Sequence, residues 1–282
     1  MICRLAGFVL YDVLREIFMK IFKILWVFCF TVFVICGCSK KTSGDELLGE
    51  IKKKGEMVIA TEGTWAPWTF HDEKDMLTGF DIEVARKIAE KIGVKANFVE
   101  VEWDGIFAGI DSKRYDLAAN GVEITPERAQ KYDFSEPYCY IYTAIIVRGD
   151  NDSIHSFEDL KGKQTANTLA STYANLAESY GAHAVGVDDL NQTLQLVLEG
   201  RVDATLNADI SFYDYMKVHP DANLKIVART KDSSQVAIPL RKNETTQSLL
   251  KEINSAILEL RRDGTLSELS KKFFGEDFSN KK

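Results

Sequence analysis

Histidine, cysteine and proline are scarce in this chain of 282 residues, with four, five and five of each. His71, His155, His183 and His219 are scattered, and no pair has helical ligand spacing. A zinc site is therefore not expected, and no other cofactor is implied. No phosphate-cradling G-x-x-x-x-G-K-[ST] string, no G-x-G-x-x-G and no G-x-S-x-G is present. Basic charge is also in deficit, with a net charge of −7. An acidic chain is poorly suited to gripping phosphate backbones, so no nucleic-acid partner is expected. Fixed-period repeats and low-complexity tracts are missing too. What is present is 45% hydrophobic and 27% charged residues, enough apolar material for one or two folded domains.

The only long apolar run is short for a membrane span. Ile24 to Ile35 is twelve residues with Thr31 as its one polar member. As a helix it reaches about 18 Å, against about 30 Å of hydrocarbon. It follows Lys20 and Lys23 and ends at Cys36-Gly37-Cys38, the pattern of a secretory signal peptide over residues 1–37. Ile35-Cys36-Gly37-Cys38 resembles a lipobox, with cleavage before Cys38 and lipidation of its thiol; Cys36 is an unusual residue for that motif. An uncleaved anchor is the alternative. Met19-Lys20-Ile21-Phe22-Lys23 reads as a better start than Met1, so translation is expected to begin at Met19. The processed chain keeps 31 basic and 40 acidic side chains. With Cys38 acylated, Cys139 is its one remaining thiol, which excludes an internal disulfide. Flanked by Tyr138 and Tyr140, Cys139 is expected to be a packed small residue. Residues 38–55 are polar and read as a lipidated tether, with a short helix around Leu47–Ile51.

From Met57 onward short apolar runs alternate with helical patterns. Strands are expected near 58–60, 96–101, 115–119, 141–148, 163–167, 184–187, 202–207, 224–228 and 236–240. Helices are expected at 81–92, 105–111, 156–160, 172–180, 189–199, 244–262 and 265–274. In 81–92 the residues Ile82, Ala85, Ile88, Ala89 and Ile92 share one face, and Gly93 stands where a helix would end. Such alternation predicts an α/β fold with mostly parallel sheets. Ligands of such sheets sit at the carboxyl ends of the strands.

The most informative stretch is NGVEITPERAQKYDFSEPY, residues 120–138. Thr125 can cap a helix with Pro126 at its first position. Arg128 then falls in the first turn, where a cation gains nothing from the helix dipole. A guanidinium there matches a carboxylate as a planar fork; a solvated surface Arg is the alternative. The strings GTWAPWTF (63–70), GFDIEVARKIAEKIG (79–93), WDGIFAGI (103–110), SFEDLKGK (156–163), GRVDATLN (200–207) and LRRDGTLSELSKKFFG (260–275) accompany it in order. Together they resemble the family-3 extracellular solute-binding proteins of polar amino-acid ABC importers. Thr61 to Phe70 and VEITPER are most similar to the cystine-binding members.

The resemblance implies the type II periplasmic-binding-protein fold, two α/β lobes joined by two crossover strands with a ligand cleft between them. Lobe 1 would be 56–146 plus 240–275, lobe 2 would be 147–239, and 276–282 a tail. Ile145 to Arg148 and Val236 to Pro239 would be the crossovers. It further implies aromatic walls at Trp65 and Trp103, whose alternative is ordinary packing. Asn120 and Gly121 would meet the ligand ammonium and Arg128 its α-carboxylate. Ser171 and Thr172 would complete the carboxylate site, and Glu62 would read the ligand's far end. Two departures stand out: Glu123 replaces a common Ser or Thr, and Ala208 replaces a common Asp, with Asp209 one step later. Glu123 is therefore expected to hold the ammonium, with Asp209 as the other candidate; pairing of Glu123 with Arg128 alone is the bland alternative. The implied protein is a monomeric, exported receptor, in the periplasm or at the cell surface, held to a membrane by lipid at Cys38. It would deliver cystine or another polar amino acid to a permease, with no catalysis. A dehydratase-like enzyme on the same fold, with Glu123 as its acid, and a receptor or adhesin module remain the other readings.

Overall fold

The computed structural model describes residues 46–281. The leader, the Met19 start, Cys38 and the tether up to residue 45 lie outside the described residues. The chain begins with α1 (Glu46–Lys54), β1 (Glu56–Thr61) and a small meander of β2 (Thr64–Trp65), β3 (Thr69–His71) and β4 (Leu77–Thr78). There follow α2 (Phe80–Ile92), β5 (Lys95–Glu100), α3 (Trp103–Asp111), β6 (Leu117–Ala118), α4 (Pro126–Lys131) and β7 (Tyr132–Phe134). After β8 (Cys139–Ile141) comes a second group. It holds β9 (Thr143–Arg148), β10 (Gln164–Asn167), α5 (Thr172–Ser179), β11 (His183–Gly186), α6 (Leu190–Leu198), β12 (Ala204–Ala208), α7 (Asp209–Val218) and β13 (Leu224–Arg229). The chain returns through β14 (Ser234–Val236) to β15 (Pro239–Arg241), α8 (Gln247–Arg262) and α9 (Thr265–Phe274).

Two five-stranded sheets result, ordered β5-β1-β6-β15-β7 and β11-β10-β12-β9-β13. In each sheet four strands run the same way and one, β15 or β9, runs against both of its neighbours. The expectation of mostly parallel sheets holds, with one reversed strand in each. The reversed strand is in each case the one that enters its sheet directly from the crossing, β9 after β8 and β15 after β14. Strands β8 and β14 pair antiparallel and form the two connections. The first crossing therefore falls at Cys139–Ile141. The expected crossover Ile145 to Arg148 is instead part of β9, which lies between β12 and β13 and is buried from Thr143 to Val147.

Local rules account for most elements. Gly93 closes α2 in the left-handed region (φ 84°), donating its amide to the carbonyls of Ala89 and Glu90. Helix α8 buries Leu249, Ile253, Ala256, Ile257 and Leu260 along one face. Each buried aliphatic side chain of this size contributes about 1.5–3 kcal/mol. The expected short helix around Leu47–Ile51 forms and runs over 46–54, and because Leu47 and Ile51 are buried in the core this part of the chain is not tether. The expected tail also packs back: the Tyr140 amide donates to the Phe278 carbonyl at 2.8 Å, and Phe278 lies against Phe274. Cys139 is free and fully buried, and burial holds its thiol well above its usual pKa, so it stays a neutral packing group.

Candidate functional site

Both lobes aim the carboxyl ends of their parallel strands at one shared cavity. Glu62 follows β1, and Asn120 and Gly121 follow β6. From the other lobe Asn167 ends β10, and Asn207 lies near the end of β12. Of the expected residues, Glu62, Trp65, Trp103, Gly121, Glu123, Arg128, Ser171 and Thr172 all line the cavity.

One wall is built on α4. Thr125 accepts the Arg128 amide at 3.1 Å, as the cap pattern predicts, and Pro126 opens the helix. The Arg128 guanidinium lies 5.1 Å from the Trp103 ring and 5.3 Å from the Phe107 ring, and Nη1 donates to the Glu123 carbonyl at 3.1 Å. Burial pulls its pKa below the usual value, and the Glu123 charge acts in the opposite sense. A guanidinium held on aromatic faces with donors to spare is suited to a carboxylate.

The facing wall is Trp65, which stacks on Trp68 at 5.4 Å. It sits so close to Gly121 that a Cβ there would meet Trp65 Cζ3 at 2.5 Å. Gly121 has φ +59° and donates its amide to the buried Asp81 carboxylate. Asn120 is buried behind the cavity surface. Its Oδ1 accepts the Glu62 amide at 2.7 Å and its Nδ2 donates to Glu62 Oε2, so it acts through Glu62. Burial raises the Glu62 carboxyl to about 7; the Asn120 hydrogen bond works against this, and Asp189, Glu102 and Asp104 add to it.

The lobes meet inside the cavity. Thr172 Oγ1 donates to Glu123 Oε1 at 2.6 Å, and outside the cavity lining Trp68 Nε1 donates to Ser211 Oγ at 3.1 Å. Ser171 caps α5, accepting the Ala174 amide at 3.1 Å. Three buried polar atoms on lining residues have no hydrogen-bond partner: Trp65 Nε1, Asn167 Oδ1 and Tyr173 Oη. Buried polar groups are normally satisfied, so a cavity with two orphan donors and one orphan acceptor is shaped for a polar guest.

Asp209 lies outside this space. It opens α7, and its Oδ2 accepts from Arg229 Nε at 2.9 Å. The single-residue step past β12 turns it away from the cavity. Sequence reasoning missed Thr64, Asn167, Thr168, Tyr173, Asp189, Leu190, Thr193 and Asn207 as lining residues. Asp189 had a usable signal, a capping Asp directly after a strand and before an apolar helix.

The model of the bacterial extracellular solute-binding proteins, family 3, matches residues 57–276. This chain belongs to that family. A probable amino-acid ABC transporter-binding protein of Haemophilus influenzae is 41% identical over 234 residues, 83% of this chain and 90% of the relative. The structure of an ancestral arginine-binding protein with arginine bound matches at TM-score 0.73 and 38% identity, covering 78% of this chain and 99% of its own. The unliganded, open L-cystine solute receptor of Neisseria gonorrhoeae matches at TM-score 0.58 and 40% identity, covering 83% and 99%. The two-lobe fold is therefore that of the family. This solute-binding protein superimposes better on the liganded relative than on the open one, although the open one is slightly more similar in sequence. With two hydrogen bonds spanning the lobes, its conformation is a closed one.

Proposed function

We propose that this solute-binding protein captures an amino acid between its lobes and presents it to the permease of an ABC importer. The observation that carries this reading is the cavity itself: a guanidinium on an aromatic wall, opposite carboxylates and orphaned buried polar atoms, between two lobes in contact. Arg128 takes the α-carboxylate, helped by Thr172 and the amides at the start of α5, where anions are favoured. Glu123 takes the α-ammonium; Asp209 is committed to Arg229 and leaves it that role. Trp65 and Trp103 cover the ligand's apolar stem. Closure follows because a ligand touching both lobes favours the state in which both contacts exist. Cystine or another polar amino acid is the proposed guest. The relatives named for cystine, arginine and amino-acid transport support that class. Their naming as binding proteins also favours capture without turnover over a dehydratase-like reaction. Export, lipid attachment at Cys38 and a monomeric state complete the reading.

Calorimetry with a panel of amino acids tests it, followed by mass spectrometry of the recovered ligand. One or a few amino acids binding tightly and returning unchanged is the expected result. A transformed ligand, or no amino-acid binding at all, defeats it.

The buried Glu62 adds a pH dependence. In the closed cleft its carboxyl titrates near 7, above its usual 4.5. A ligand cation beside it requires the ionised form, so binding such a ligand releases a proton. Affinity for ligands with a far-end cation is therefore expected to fall as pH drops below 7, by up to about tenfold per pH unit. Ligands with neutral far ends should show no such slope. The same shift lowers the stability of the closed, empty form as pH rises from 4.5 through about 7, because that form holds a proton that the unfolded chain has released. Titration calorimetry at pH 5.5, 6.5 and 7.5 is the check, read against the titration of Glu62 near 7.

A further inference from the structure

We propose that Asp189 is a specificity-determining residue: together with Glu62 it forms a carboxylate pair, one member from each lobe, that admits amino acids carrying a second cationic group and keeps the cleft from closing on others. This rests on the reading of the cleft as an amino-acid site. Glu62 follows β1 in the first lobe, whereas Asp189 caps α6 in the second, and both line the same cavity. They are near enough for the negative charge of Asp189 to raise the Glu62 carboxyl. Arg128 is the single basic residue among those lining the cavity, and it is engaged on the Trp103 and Glu123 side. Among the described residues neither Glu62 nor Asp189 takes part in an ion pair.

Asp189 is held in place. Its Oδ1 accepts the Gln192 amide and its Oδ2 accepts Gln192 Nε2, both at 2.9 Å. A carboxylate has about four acceptor sites, so capacity for a ligand remains. The pair exists only when the lobes come together. Closing an empty cleft then brings two like charges into a shared low-dielectric space, which is unfavourable. A proton on Glu62 relieves part of this, and a ligand cation relieves it without titration. The shared ligand chemistry is a cation at the far end of an α-amino acid: a guanidinium, a side-chain ammonium, or the second ammonium of cystine. A neutral far end offers no relief, so the arrangement discriminates by repulsion as well as attraction.

The test is D189N in the full chain. Asn caps helices as well as Asp, so the start of α6 survives the change. Calorimetry uses arginine, cystine and glutamine, and small-angle scattering is recorded on the ligand-stripped protein. D189N is expected to lose about tenfold in affinity for arginine, cystine or both, and to keep or improve its affinity for glutamine. Its ligand-free form is expected to scatter as a more compact particle than the wild type. Equal losses for all three ligands, no loss for either dicationic ligand, or a wild type that prefers glutamine overturns the proposal. If none of the three binds the wild type, the amino-acid reading falls. The scattering comparison still judges the carboxylate pair, because unchanged compaction refutes it with no ligand present.

Discussion

Replacing Arg128 with methionine is expected to weaken binding of every α-amino acid by about 10²–10³-fold, the loss typical of removing one partner from a buried, hydrogen-bonded charge pair. The guanidinium is pinned from three sides: the rings of Trp103 and Phe107 and the Glu123 carbonyl. That support orients it before the ligand arrives, so little entropy is lost on capture. Methionine keeps the length and the helix propensity of the side chain, and the Thr125 cap binds the main-chain amide, which the substitution leaves alone. The melting temperature should therefore change little while affinity collapses. Lysine should rescue poorly, since an ammonium cannot reproduce a two-pronged contact. Calorimetry and a thermal melt on R128M and R128K decide the matter. Affinity within threefold of wild type in R128M would remove the clamp from the proposal.

That cluster illustrates what a sequence can disclose. Thr125-Pro126 is a local signal, and the helix begins where it says. The face of α2, its end at Gly93 and the apolar stripe of α8 are equally local, and each formed as its periodicity implies. Helix α7 was not foreseen. Its residues DISFYDYMKV bury Ile210 and Phe212 but leave Tyr213 and Val218 exposed, so no clean 3.6-residue period is visible. The run 141–148 reads as one strand because six of its eight residues are β-branched or aromatic. The passage between lobes at Tyr142 divides it, and that is a property of topology.

The site divides along the same line. Residues on continuous motifs, such as Trp65, Gly121 and Arg128, were visible because their strings are distinctive. Asn167, Tyr173 and Asp189 enter the cavity only because the second lobe swings against the first. No local pattern encodes that meeting. Glu123 is the instructive case: its departure from a hydroxyl residue was evident in the sequence, yet its bond to Thr172, 49 residues away, appears only in three dimensions.

Gly121→Val is expected to cost about 2–5 kcal/mol of stability and to abolish measurable binding. Two penalties combine. A φ of +59° places a β-branched residue in the left-handed region, at about 1–2 kcal/mol. The new Cβ would also lie 2.5 Å from Trp65 Cζ3 and 2.8 Å from Cη2. Forcing side chains out of a packed site costs about 1–3 kcal/mol. Trp65 cannot retreat freely, because Trp68 is stacked behind it and Trp68 is tied through Ser211 to the other lobe. The alternative is for the Gly121 backbone to move, which breaks the hydrogen bond from its amide to Asp81 and drags Asn120 off Glu62. Either route disturbs the wall and the far-end carboxylate together. Urea denaturation and calorimetry on G121V measure the two losses, and Gly121→Ala should fall between it and wild type. A G121V protein that unfolds at the wild-type urea midpoint and binds its ligand unchanged would show that the indole and the glycine are not in contact, and the wall assigned to Trp65 would have to be redrawn.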